Sequence, residues 1–429
     1  MLSAFAQAFR TPDLRRKLLF TLGIMALFRL GAFIPAPGVS YANVQQCAAA
    51  SDQSILDMVN LFSGGGLLQL SIFALGIMPY ITASIIIQLL RVAIPRFEEL
   101  HKEGQAGTAK LTQYTRYLTI GLGLLQSVTV VTLAVSGQLY PGCPVSPIPD
   151  ESPFNLFLVV LAMTAGTGLI MWLGELITER GVGNGMSLLI FTSIVASFPT
   201  QMISIAGGAN GFRNTVIMLA VILLITLAVV FVEQSQRRIP VQYAKRMVGR
   251  RLYGGSTTYI PLKINQSGVI PVIFASSILQ LPVLAAQFAP QASWSLWLQQ
   301  HFLVTQSWWY MLTYALLIIF FAFFYTSITF NPEEVADNMK KYGGFIPGIR
   351  AGRPTAEYLG YVMTRLTWPG SFYLAVVALI PVVVIAAMGV SQSMQFGGTT
   401  IMIMVGVGLQ TVKEIDSQLQ QRHYEGFLQ

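Results

Sequence analysis

Residues 213–240 read RNTVIMLAVILLITLAVVFVEQSQRRIP, and this stretch decides the fold class. From Val216 to Val232 the sole polar side chain is Thr226. As a helix rising ~1.5 Å per residue, a run of about twenty residues crosses a hydrocarbon core roughly 30 Å thick. Its flanks are unequal: Arg213 stands before it, and Arg237 and Arg238 follow it. Lys and Arg accumulate on the cytoplasmic side of spans, so this run is expected to start outside and end inside.

Working outward, comparable apolar segments lie at 17–34, 72–94, 112–135, 154–174, 185–205, 267–288, 309–330, 369–389 and 398–414. The 429 residues are 54% hydrophobic and 10% charged, with mean hydropathy +0.61. A soluble fold has to present a polar surface and could not hide so much apolar side chain. The net charge is +8, and its placement is the topological signal. Arg10, Arg15, Arg16 and Lys17 precede the first span, and basic clusters follow the second, sixth and eighth spans. In all, 24 of the 26 basic residues fall on one side. Arg213 lies on the other side and Arg29 within the first span. Both termini are therefore expected to be cytoplasmic. Pro35 and Pro37 crowd the one plausible cleavage region, so the first run is expected to be a retained span. The expected fold is an all-α integral membrane protein of ten transmembrane helices. Spans one to five start inside and spans six to ten start outside. Two related halves, 1–205 and 206–429, would then form an inverted repeat, with any site near the midplane between them.

The chemistry that is missing narrows the function. No G-x-x-x-x-G-K-[ST] run, H-E-x-x-H or G-x-S-x-G occurs. Gly181–Gly185 leads into a span and reads as a tight turn. His101, His301 and His423 fall in separate loops and the tail, so no metal or catalytic set is expected. Ion-coupled transporters bury ionisable groups in their spans, whereas Arg29 is the clear intramembrane charge here. It is expected to snorkel or to pair with a backbone carbonyl. Glu175 and Glu233 sit at cytoplasmic span ends and are expected to stay hydrated. A passive conduit or scaffold, with no cofactor and no catalysis of its own, fits better than a pump. The alternative is a secondary transporter of small solutes with an inverted-repeat fold. Cys47 and Cys143 read most simply as unpaired thiols. Both fall on the external side, so a disulfide remains open.

Three connections stand out. Residues 55–70, ILDMVNLFSGGGLLQL, are apolar but short and broken by Gly64, Gly65 and Gly66. A re-entrant element beside a cavity is one reading, because irregular backbone at membrane depth needs protein or water around it. A surface loop is the other. The loop 233–266 alternates apolar and polar residues about a tip near Val248–Tyr253, as an arginine-tipped hairpin would. The loop 331–366 reads as a short amphipathic helix followed by a Gly/Pro turn at Arg350. Their charge suits anionic lipid headgroups or a large acidic partner such as ribosomal RNA.

Several blocks resemble the SecY family: 70–88 LSIFALGIMPYITASIIIQ, 172–185 WLGELITERGVGNG, 236–246 QRRIPVQYAKR, 261–265 PLKIN, 268–271 GVIP, 345–350 FIPGIR and 422–427 RHYEGF. The resemblance implies a clamshell of two inverted five-helix halves around an hourglass pore. It implies a pore ring of Ile77, Ile81, Ile85, Ile190, Ile273 and Ile403. It implies a plug at about 55–71, including Asn60, Leu61, Phe62, Ser63, Gly64, Gly65, Gly66 and Leu67. The second and seventh spans would form a lateral gate. Arg238, Arg250, Arg251 and Arg350 would dock the ribosome or the motor SecA. SecE and SecG would complete a heterotrimer in the bacterial cytoplasmic membrane. Its cargo would be signal-sequence-bearing polypeptides, which cross or pass laterally into lipid. Gln410, where many relatives are acidic, and Ala351, where proline is common, depart from the pattern.

Overall fold

The computed structural model describes residues 9–50, 60, 63–137, 139–140, 143–207, 211–243, 246–248, 251–253, 257–288, 292–302, 307–388 and 398–425. Each of the ten apolar segments contains a long helix. In the first part these are α1 (Pro12–Gly31), α3 (Met78–Ala93), α5 (Gln105–Val135), α6 (Pro153–Arg180), α7 (Gly185–Gly207) and α8 (Gly211–Gln234). The remaining four are α9 (Ile270–Phe288), α11 (Trp308–Thr329), α13 (Arg353–Met388) and α14 (Gly398–Glu425). Shorter helices α2 (Tyr41–Ala50), α4 (Pro95–Lys102), α10 (Ser293–Phe302) and α12 (Pro332–Lys341) lie in the connections. Among the described residues, six helices are long and apolar enough to cross a bilayer unaided, or seven if the α3–α4 pair is one span. The first and last helices carry charges toward one end, which lowers their apolar length.

Local chemistry sets the ends. Ser152 caps α6 by accepting from the Asn155 amide at 3.4 Å, and Pro153 takes the first turn. Asn331 caps α12 in the same way, accepting from Glu333 N at 3.1 Å. Glu333 and Glu334 in its first turn and Lys340 and Lys341 in its last complement the helix dipole. Pro369 and Pro381 sit inside α13 without ending it, as spans packed among neighbours allow.

The chain divides into two compact units. The first comprises Met1–Val216, Gly389–Gln395 and Ile403–Gln429. Here α5 packs on α3 and α6, and α1 packs on α6 and α7. Leu14, Leu18, Val182 and Ile415 form a small buried cluster. The second comprises Ile217–Met388 and Phe396–Met402. Here α11 packs on α9 and α13. It also carries a sheet of order β4-β1-β5, formed by β1 (Gln236–Tyr243), β4 (Thr257–Lys263) and β5 (Gly344–Phe345). β1 and β4 are antiparallel from Gln236↔Lys263 to Gln242↔Thr257. β2 (Arg246–Val248) and β3 (Arg251–Tyr253) extend the hairpin toward its tip. Period-two alternation buries Ile239 and Val241 while Arg238, Pro240 and Gln242 face out. Those two residues, Leu262, Met339, Ile346, Leu359, Val362 and Met363 form one core, which fixes the hairpin onto α12 and the start of α13.

Several expectations are corrected. The second span was expected over 72–94, but its helix begins at Met78. Residues 63–77 are turns, with Leu70 at φ 44° and Gly76 at φ 56°. At Ile94 the chain bends by 101° into α4, where Pro95 cannot continue the preceding hydrogen bonds. The loop 331–366 is shorter than expected, because α13 begins at Arg353. Cys47 and Cys143 are joined in a disulfide, Cα–Cα 5.1 Å. The two backbones are already paired there: Asn43 Nδ2 donates to Ser146 O at 2.9 Å and Ser40 N to Pro147 O at 3.1 Å.

Candidate functional site

In its described part the glycine-broken segment is not a surface loop, for residues 63–70, and 71–77 after them, are mostly buried. Ser63, Leu67, Leu70 and Ser71 have no exposed surface. A non-helical backbone at this depth needs partners for its polar groups, and the chain supplies them. Ile72 N donates to Ile34 O at 2.9 Å and Ala36 N to Leu70 O at 2.9 Å, around an isolated antiparallel bridge between Pro35 and Ser71. Tyr140 donates its hydroxyl to Leu68 O at 2.7 Å. Burial pushes that hydroxyl well above the ordinary tyrosine range, so it stays a donor. Within the segment, Ser63 Oγ accepts from Leu67 N at 3.0 Å and Asn60 Oδ1 from Leu68 N at 3.1 Å. Arg29, expected to snorkel or to find a carbonyl, donates from Nη1 to Gly64 O. On its other side the guanidinium lies over the Phe33 ring, 4.5 Å from the centroid. Ile72 O packs directly on Gly166 of α6, where a Cβ would overlap it. Residues 55–59, Leu61 and Phe62 lie outside the described residues.

Ile77 is the residue before α3, and Ile81 and Ile85 follow at four-residue steps on one helix face. Ile77 and Ile85 are buried and Ile81 is half-buried. Ile190 on α7 and Ile403 on α14 are buried in the first unit. Ile273, near the start of α9, is buried in the second.

The two carboxylates expected to be hydrated both have partners. Glu175 on α6 forms a two-pronged pair with Arg116 on α5, Nε–Oε1 2.8 Å and Nη2–Oε2 2.8 Å, and its side chain is 19% exposed. Glu233 accepts from Asn265 Nδ2 at 2.6 Å, and the same amide donates to Gly268 O at 3.1 Å. Asn265 thus ties the foot of the hairpin to the end of α8 and the approach to α9. Among the expected docking residues, Arg238 is exposed on β1. Arg350 is exposed in the turn after β5, where Thr355 Oγ1 donates to its carbonyl at 2.9 Å. Both belong to the small domain built on the shared core. Arg251 lies in β3, opposite Val248, and Arg250 lies outside the described residues.

A family model described as SecY matches residues 71–412. The protein translocase subunit SecY of Streptomyces galbus is 62% identical over the whole of both chains. Among solved structures, one described as a protein conducting channel is similar with TM-score 0.62 and 18% identity, covering 93% of this chain and 91% of that one. A second, concerned with a SecY plug domain that stabilises the closed state of the translocation channel and maintains a membrane seal, aligns with TM-score 0.59 and 19% identity. It covers 93% of this chain and 91% of that one.

Proposed function

This chain belongs to the SecY family, and on that footing we propose how its parts serve as the central subunit of a protein-conducting channel. It is a multi-pass membrane protein without catalysis of its own. Unfolded secretory polypeptides cross the membrane through it, and transmembrane segments leave it sideways into lipid. The comparisons favour this function over small-solute transport. The observation that carries the structural reading is the buried, non-helical segment 63–77, wedged against α1 and α6, which has the build of a plug.

In this reading the two halves, 1–205 and 206–429, enclose the pore. Ile77, Ile81, Ile85, Ile190, Ile273 and Ile403 line its constriction. Branched apolar side chains at a narrowing disfavour water and ions, so the resting pore seals by dewetting. The same side chains make no directional bonds and accept any passing residue. Residues 60–67 block the external funnel. A signal sequence opens the path between the second and seventh spans when its apolar run is more stable in lipid than in the aqueous pore. The membrane is the bacterial cytoplasmic membrane, with both termini inside, SecE and SecG as companions, and SecA or the ribosome as the driver.

The decisive experiment stalls a secretory polypeptide in the complex and asks whether it crosslinks to single cysteines at Ile81 and Ile273. Crosslinking at both positions is expected. Crosslinking at neither, while the stalled chain remains bound, would exclude this pore lining.

Arg350 tests the docking surface. Arg350→Glu is expected to slow SecA- or ribosome-driven export on the order of tenfold, since reversing an exposed charge at the rim of an interface mainly slows association. Insertion of the protein itself should be unchanged, because the side chain is exposed and packs in no core. Normal export would remove Arg350 from the docking surface.

A further inference from the structure

We propose that Arg29 is the latch of the plug: its guanidinium, bonded to the Gly64 carbonyl, holds residues 63–66 in the resting position and lets go when the channel opens. This rests on the plug reading above and adds to it the residue that sets the resting equilibrium.

Three observations carry the inference. First, Arg29 is a charge that the first span carries in its last turn. Intramembrane arginine is costly and is kept where it has work to do. Among the described residues it makes no ion pair, and its partners are a carbonyl and a ring. Second, the segment is shaped to receive it. Gly64 has φ +67°, and a Cβ there would stand 2.9 Å from Arg29 Nη1 and 3.4 Å from Ser193 Oγ. Glycine supplies both the backbone conformation and the space for the guanidinium. Third, the anchors are divided along the segment. The bridge to Pro35 and the Tyr140 hydroxyl hold residues 68–72 to the external loops. Arg29 holds residues 63–66 to a spanning helix. The far end can then stay attached while the near end swings.

A single charged hydrogen bond suits a part that opens repeatedly. Breaking a buried ion pair would leave a second charge without a partner. Breaking this bond leaves a neutral carbonyl and an arginine that keeps the Phe33 ring and can extend its head toward water at the end of the span.

The test uses proteoliposomes holding the channel complex. Leu67, fully buried at rest, is replaced by cysteine and labelled with a membrane-impermeant maleimide from the external side. Cys47 and Cys143 are bonded to each other and do not compete. Arg29→Met should label about tenfold faster or more, the population change that loss of a charged hydrogen bond implies. Its resting ion leak should rise, and Arg29→Lys should restore part of both. Gly64→Ala, which crowds the guanidinium and also strains the backbone at φ +67°, should label faster too; Arg29→Gln, which removes the charge and leaves Gly64 untouched, decides the matter if Arg29→Met does not accumulate. Deletion of 60–67 separates the two ideas. If the deletion leaks but Arg29→Met and Gly64→Ala label and leak as the parent does, the plug stands and the latch is wrong. If the deletion does not leak either, the plug reading falls and the latch with it.

Discussion

Vesicles carrying the Ile81→Ser, Ile190→Ser double variant should conduct ions at rest far faster than vesicles carrying the parent complex. Both residues are proposed for the constriction, Ile81 half-buried on α3 and Ile190 buried on α7. A hydroxyl at each position gives water a partner where none existed, and the loss of branched side chain widens the narrowing. Sealing by dewetting depends on both terms, so their joint loss should exceed either single change. The measurement is the resting current in planar bilayers, or the decay of an ion gradient in vesicles, without a translocating chain. Export of a secretory precursor should persist, because the ring makes no specific bond to its cargo. A resting leak equal to that of the parent would mean that these isoleucines do not seal the pore.

The second large effect is structural and has a built-in control. In α6, Gly166 is pressed against the Ile72 carbonyl, while Gly168, two residues on, has nothing within 4 Å of where a Cβ would stand. Small residues let backbones approach inside membranes. Gly166→Ala should therefore push the plug-bearing backbone away from α6, with an overpacking cost of about 1–3 kcal/mol. Gly168→Ala should be neutral or stabilising, because alanine exceeds glycine in helix propensity by up to about 1 kcal/mol. Thermal unfolding of the two variants in detergent should shift in opposite directions, or down for the first alone. Equal shifts would mean that the close approach of Ile72 to α6 contributes nothing.

These two sites differ in how far the amino-acid sequence revealed them. The helices within the ten apolar segments were legible because the bilayer imposes its thickness on apolar runs, and hydropathy reads that directly. The hairpin β1–β4 was legible for a similar reason: Ile239 and Val241 alternate with Arg238, Pro240 and Gln242, and period two is a local signal. β5 was not, because two residues carry no period and its place depends on Tyr243 and Gln242 across the sheet. The turns at 72–77 looked like the start of a span because their side chains are apolar. What bends residues 63–77 is pairing with Ile34, Ala36, Tyr140 and Arg29, all distant in the chain. Arg116 and Glu175 stand 59 residues apart, and no local rule joins them. The isoleucine ring is the extreme case. Composition cannot tell a sealing isoleucine from any other in a membrane helix, so the proposed ring rests on family resemblance alone.

The disulfide carries information about time. Cys143 emerges 96 residues after Cys47, with α3, α4 and α5 between them. An oxidised chain is therefore one whose second and third spans have already been made and whose connecting segments have met. The bond acts as a covalent date-stamp on assembly, readable as a mobility difference between oxidised and reduced nascent chains on a gel.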